Sequence, residues 1–281
     1  MLENIWQSIS PAVTDSFPLI NIFVVVIAGC LGFLLYGRVK SPAREILLRA
    51  LGLLTILMGA VEIWNGFFVL QTAQFETTGT LLVVIALPVG LAFGYALTLE
   101  RSIGKSGVWL FRQFVKDKPS RAEVIARAKG QENIKRRKTP EPSAEGYMLA
   151  SVLCAFSSTT VFSMLSYASA EDPLPLLIRL GFHFIVFFLL AALFGSNVIL
   201  AAVPLLVVEG LLLVANRLAG DLITNTLMNQ LRLIGAVILV AAGVAMGGGK
   251  RVRAAQLIPA YFIPVIYGLT MVLATRFMES A

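Results

Sequence analysis

Of the ionisable side chains inside long apolar runs of this sequence, four lie well away from the run ends or on a shared face: Glu62, Arg179, His183 and Glu209. A charge in hydrocarbon costs at least ~2.5–3.5 kcal/mol on membrane-insertion scales, so such a residue usually faces a partner or a cavity. At a helical rise of ~1.5 Å per residue, Glu62 and Glu209 fall about 12 Å below one end of their helices, Arg179 about 7 Å and His183 about 13 Å. Arg179 and His183 are spaced i,i+4 and share one helix face. Two acids and two basic groups therefore occupy one layer on three helices, and Asn65 lies one turn from Glu62. These five residues are the candidates for coordinating a proton, an ion or a small substrate. A purely structural alternative has Arg179 snorkelling outward and the acids protonated in packing hydrogen bonds. Asn21 and Arg232 lie nearer the same surface and read as anchors.

Other chemistry is sparse. Gly104-Lys105-Ser106 resembles the end of a phosphate-binding loop, but Leu99 stands where that loop needs glycine. No zinc-protease helix motif or nucleophile elbow is present. Cys30 and Cys154 lie far apart in apolar runs with no neighbouring ligand at metal spacing, and the single histidine rules out a histidine cluster. No cofactor and no metal are expected. The hydroxyl row Ser157, Ser158, Thr159, Thr160 and Ser163 suits backbone bonding and helix packing more readily than catalysis. An enzyme is not the expected class, because no nucleophile–base or metal constellation appears.

The elements that must position the polar layer are membrane helices. Of 281 residues, 57% are hydrophobic and 14% charged, whereas a soluble domain carries nearer ~25% charged residues. A spanning helix needs about 20 mostly apolar residues. Eight runs qualify: 18–36, 46–70, 79–99, 146–168, 174–195, 198–217, 229–247 and 254–275. Only Gly195-Ser196-Asn197 separates the fifth from the sixth, and a single kinked element there would give seven spans. Nineteen of the 23 Lys and Arg residues lie in or beside three gaps, around 37–49, 100–145 and 248–253. With eight spans all three gaps share one side, which the positive-inside rule puts in the cytoplasm, with both termini outside. The net charge of +7 then has anionic headgroups as its partner, not nucleic acid. Met1-Leu2-Glu3 lacks the basic start of a signal peptide, so the first apolar run reads as a retained helix. The fold class is thus an all-α polytopic bundle. Residues 1–99 form a three-helix membrane unit, 100–145 a basic cytoplasmic loop, and 146–281 a five-helix membrane unit.

Within the loop, Val108, Trp109, Leu110, Phe111, Phe114 and Val115 alternate with cations, the pattern of an interfacial amphipathic helix. Ser120 and Glu123 suit a capping box for a short helix through Lys129, and Lys135–Pro142 has too little to bury to fold alone. Gly52 and Gly59 in the second run are matched by Ala236 and Gly243 in the seventh. Leu87-Pro88 with Gly94 in the third is matched by Ile258-Pro259 with Gly268 in the eighth. Spans one to three would then repeat as six to eight, five helices later and inverted, a plan used by many secondary transporters. Chance similarity among small membrane residues explains the same matches.

The run Arg251-Val252-Arg253-Ala254-Ala255-Gln256-Leu257-Ile258-Pro259-Ala260, Asn21 with Gly29 and Gly32, Gly52 with Gly59, and the stretch 146–154 together resemble the YqgA/YdfK-like bacterial inner-membrane family, domain-of-unknown-function family 554. This chain is a divergent member by that resemblance. Phe17-Pro18 stand where the family tends to have Gly-Thr. Arg179 and His183 stand where it tends to have Lys and Asp, and Glu209-Gly210 where it tends to have Gln-Gly. The resemblance implies a multi-spanning inner-membrane protein and supplies no activity. The expected function is a secondary transporter or channel for a small solute or ion. The competing expectation is a non-transporting scaffold or accessory subunit that engages a cytoplasmic partner through the basic loop. Lipid-facing small residues permit a homo-oligomer without requiring one.

Overall fold

A computed structural model describes residues 2–72, 78–114, 144–166, 174–219, 223–248 and 253–280. The described elements are all helical: α1 (Leu2–Leu35), α2 (Ser41–Thr72), α3 (Thr78–Ala96), α4 (Leu99–Phe114), α5 (Ala144–Ala155), α6 (Ser158–Ser166), α7 (Leu174–Phe194), α8 (Ala202–Ala219), α9 (Asn225–Met246) and α10 (Phe262–Ser280). Two 3₁₀ segments, Ser196–Ala201 and Ala254–Tyr261, lead into α8 and α10. The expected capping box and the stretch 135–142 lie outside the described residues.

Seven described segments are long and apolar enough to cross a bilayer, or eight if α3 and α4, bent by 54° between them, count as one span. The bend falls where Thr98 adopts a φ of 49°. Thr98 passes the chain into the amphipathic helix expected near 108, which begins at Leu99. Trp109 stays exposed on α4, while Gly107 lets the helix lie against the Tyr147 ring. The fourth span is not continuous as expected. It breaks at Phe156–Ser157, giving α5 and α6. Tyr261 Oη donates to the freed Phe156 carbonyl at 2.9 Å, so the broken turn keeps a partner where no water is at hand.

Helix contacts fix the relative direction of the spans within each packed set. Along α2 and α9, Gly52 meets Gly243 and Gly59 meets Ala236, so the two run antiparallel. Their backbones touch: a Cβ on Gly52 would lie 2.7 Å from the Gly243 carbonyl oxygen, and one on Gly243 would lie 2.6 Å from that of Gly52. Along α1 and α7, Asn21 meets His183 and Gly32 meets Phe188, so these run parallel. From α1 to the next span, Gly29 meets Ile199 and Asn21 meets Glu209, an antiparallel pair. Gly90 with Ala260 and Gly94 with Gln256 set α3 antiparallel to the last span. Gly146 with Phe194 and Ser163 with Arg179 do the same for α5–α6 and α7.

The chain therefore reverses between α7 and α8. It does so at Gly195, whose φ of 91° belongs to the left-handed region glycine tolerates. These directions are the ones eight crossings require, with α3 as the third. The main buried core draws on helices along the whole described chain, from Val25, Leu51 and Val83 to Tyr147, Phe187, Ile234 and Leu257. Phe23, Leu53, Val84 and Leu211 point outward, as lipid-facing residues do in a bundle whose solvent is hydrocarbon.

Candidate functional site

Where α1, α6, α7 and α8 meet, six polar side chains form one buried cluster. Glu209 (0% exposed) on α8 pairs with Arg179 (1%) on α7. Arg179 Nη1 also donates to Ser163 Oγ on α6 at 2.7 Å, and its guanidinium lies over the Phe17 ring, 5.1 Å from the centroid. Asn21 on α1 donates from Nδ2 to Glu209 Oε1 at 2.5 Å. His183, one turn after Arg179, is also fully buried and lies 3.0 Å from Asn21 Nδ2 through Nδ1 and 3.4 Å from Thr160 Oγ1 through Nε2.

These contacts select one tautomer of the neutral ring. The Thr160 hydroxyl gives its one hydrogen to the Cys154 carbonyl, so it accepts from the imidazole. In the neutral ring the hydrogen then sits on Nε2 and Nδ1 accepts from Asn21 Nδ2, while Asn21 Oδ1, 3.1 Å from Nδ1, is placed to accept from the imidazolium form. Asn21 spends its two amide hydrogens on His183 and Glu209 and ties the ring to the carboxylate.

The ion pair is joined by one leg of a fork that has two. Arg179 Nη2 meets Glu209 Oε1, while Arg179 Nε and Glu209 Oε2 are buried without a hydrogen-bond partner. Arginine and carboxylate often close both legs at once. The open leg leaves one cationic donor and one anionic acceptor unfilled in the middle of a membrane bundle, where each costs free energy.

The sequence-derived candidates divide. Arg179, His183 and Glu209 come together in this cluster. Glu62 does not join them: it accepts from Arg232 Nε at 2.5 Å across the contact between α2 and α9. That pair is 14% and 12% exposed, and Arg232 lies over the Phe162 ring, 4.2 Å from its centroid. Asn65 is exposed and outside the cluster. Depth along each helix does place Glu62 near the level of Glu209, but α2 turns its acid toward α9. Arg179 does not snorkel outward. Asn21, expected as a surface anchor, is fully buried at the centre of the cluster, and Arg232 pairs with Glu62. The signal for Asn21 was its standing as an amide within an apolar run. Neighbouring residues of α6 serve the two ion pairs separately, Ser163 facing Arg179 and Phe162 facing Arg232.

An all-α bundle of membrane-spanning length, with ionisable side chains sealed in its interior, defines a polytopic integral membrane protein. The chain belongs to the family described as protein of unknown function (DUF554), whose model matches residues 17–269. It is similar to the uncharacterized protein YqgA of Escherichia coli (strain K12), 23% identical over 250 residues that cover 88% of this chain and 93% of that one. It is also similar to the uncharacterized membrane protein YdfK of Bacillus subtilis (strain 168), 22% identical over 244 residues that cover 86% of this chain and 91% of the other. No solved structure matches the chain.

Proposed function

We propose that this protein is a secondary transporter or channel for a small solute or ion, and not an enzyme. It works in the bacterial cytoplasmic membrane, with the basic loop 100–145 in the cytoplasm and both termini outside. The observation that carries this reading is the Arg179–Glu209 pair, buried among four spans with one donor and one acceptor unfilled. A pair kept only for stability would be replaceable by well-packed apolar residues at no loss, and intramembrane charges more often mark a ligand path. The break between α5 and α6, close to Thr160 of the cluster, adds support, since transporters place such irregular backbone around their sites. The contacts of α2 with α9 support inverted repeats. The matched pairs Gly52/Gly59 and Ala236/Gly243 touch crosswise, first with last and second with first, the pattern a two-fold axis between equivalent helices produces. Exposed Arg38, Lys40, Arg101 and Lys105 suit contact with anionic headgroups on the cytoplasmic side.

Cys154 offers a built-in test. It is buried, whereas Cys30 is exposed, so a Cys30→Ser variant leaves one thiol beside the cluster. A membrane-impermeant thiosulfonate applied to right-side-out and inverted vesicles should reach Cys154 from each face. Labelling from neither face would remove transport and leave the scaffold reading. Labelling from one face alone would leave a ligand-binding receptor.

A further inference from the structure

The buried cluster also limits what it can bind, given that it serves the transport reading above. Arg179 and Glu209 cancel in charge, and His183 in its Nε2–H form adds none. Among the described residues, the charged or titratable groups around Glu209 are Arg179 and His183 on α7 and the Cys154 thiol on α5. From α1 and α6 come Asn21, Thr160 and Ser163, none of which titrates. The cluster is therefore neutral as it stands. A lone ion entering it would leave a net charge sealed away from water, which is strongly unfavourable. Two opposite charges entering together would not.

The unfilled atoms say where such a pair would go. Oε2 is the Glu209 oxygen without a partner, while Oε1 is held by Arg179 and Asn21. A proton on Oε2 turns the unfilled acceptor into a donor. The open leg then presents two donors, Arg179 Nε–H and Glu209 Oε2–H. Two such donors suit one anionic oxygen acceptor. Protonation also weakens the grip of Glu209 on Arg179, which leaves the guanidinium free to take the new charge.

We propose that the Asn21–Arg179–His183–Glu209 cluster binds a small monoanion together with one proton, the anion on Arg179 and the proton on Glu209 Oε2. Asn21 and His183 are positioning residues: the ring, fixed by Thr160, holds the Asn21 amide, which in turn holds Oε1. The bound state has the same net charge as the empty one. Proton and anion therefore cross together, and neither enters alone.

Equilibrium binding to the purified full chain in lipid nanodiscs tests this, with nitrate, formate, acetate and lactate as probes between pH 5.5 and 8, where all four are ionised. At least one should bind, with affinity rising about tenfold for each unit of acidification, as uptake of one proton per anion requires. Glu209→Gln, which keeps the side-chain size and can still bond Asn21, should bind the same anion with no pH dependence. Glu62→Gln should keep the wild-type slope. Failure of all four anions to bind, or wild-type affinity that does not change with pH, overturns the proposal. So does tighter binding of glycine without proton uptake, since a zwitterion would fill the same two atoms with no proton. The wild-type slope decides even if the Glu209→Gln protein does not fold. Entry of water to Cys154 from both faces, combined with pH-independent binding, would sink the proton–anion pairing and leave the transport reading standing.

Discussion

Glu209 and Arg179 hold opposite charges where neither reaches water, and each stabilises the other chiefly by preventing a worse state. Removing one partner strands the other, a loss of about 3–5 kcal/mol for a buried pair. Arg179→Met and Glu209→Met should therefore each lower thermal stability sharply in detergent. The double variant should recover much of the loss, since two apolar side chains leave no stranded charge. A double-mutant cycle read by thermal unfolding checks this, and additive losses would show that the two residues do not act as a pair. The sequence made Arg179, His183 and Glu209 legible because charge in an apolar run is conspicuous and depth follows from counting residues. It did not make their neighbours legible. Depth says nothing of which way a helix is turned about its axis, so Glu62 shared a level with the cluster yet faces α9. Asn21 looked peripheral because its distance from the end of an apolar run is a poor guide to burial in a helix that extends back to Leu2.

Helix association in a bilayer lacks the hydrophobic drive that operates in water, so close approach through small residues takes its place. Gly94 is the clearest instance. A methyl group there would overlap the Gln256 carbonyl, which is backbone and has nowhere to go. Gly181, by contrast, has no heavy atom within 4 Å of the position a Cβ would take. Gly94→Ala should cost a large share of folded yield, and Gly181→Ala should be neutral or slightly stabilising, as expected for glycine replaced by alanine in a helix. Fluorescence-detected gel filtration of the two variants would check the contrast, and equal yields would mean that α3 does not pack as described. Span positions were legible from apolar run length, and the amphipathic α4 from its alternation of apolar residues with cations, though not the bend that leads into it. The break between α5 and α6 was not. Neither proline nor glycine stands at Phe156–Ser157, and the nearby hydroxyl row, which reads as helix packing, in fact surrounds the interruption.

For the molecule as a whole, the direction of each span ties topology to packing. Antiparallel α2 and α9 require an odd number of crossings from one to the other, which a seven-span chain fused at Gly195 would not provide. Single cysteines introduced at Lys40, Lys105 and Asn225 should report this in intact cells. The first two should be protected from an impermeant maleimide and the third labelled. Protection of all three would place the reversal elsewhere and reopen the count. The seam between α2 and α9 also bears on how the protein can change over generations. Where two side chains touch, enlarging one can be offset by trimming the other. At Gly52 and Gly243 both partners already lack a side chain, and the obstructing atoms are main-chain oxygens. No compensating substitution exists at the opposite residue, so a cell carrying a bulkier residue at either position can be rescued only by true reversion or by suppressors that move a whole helix.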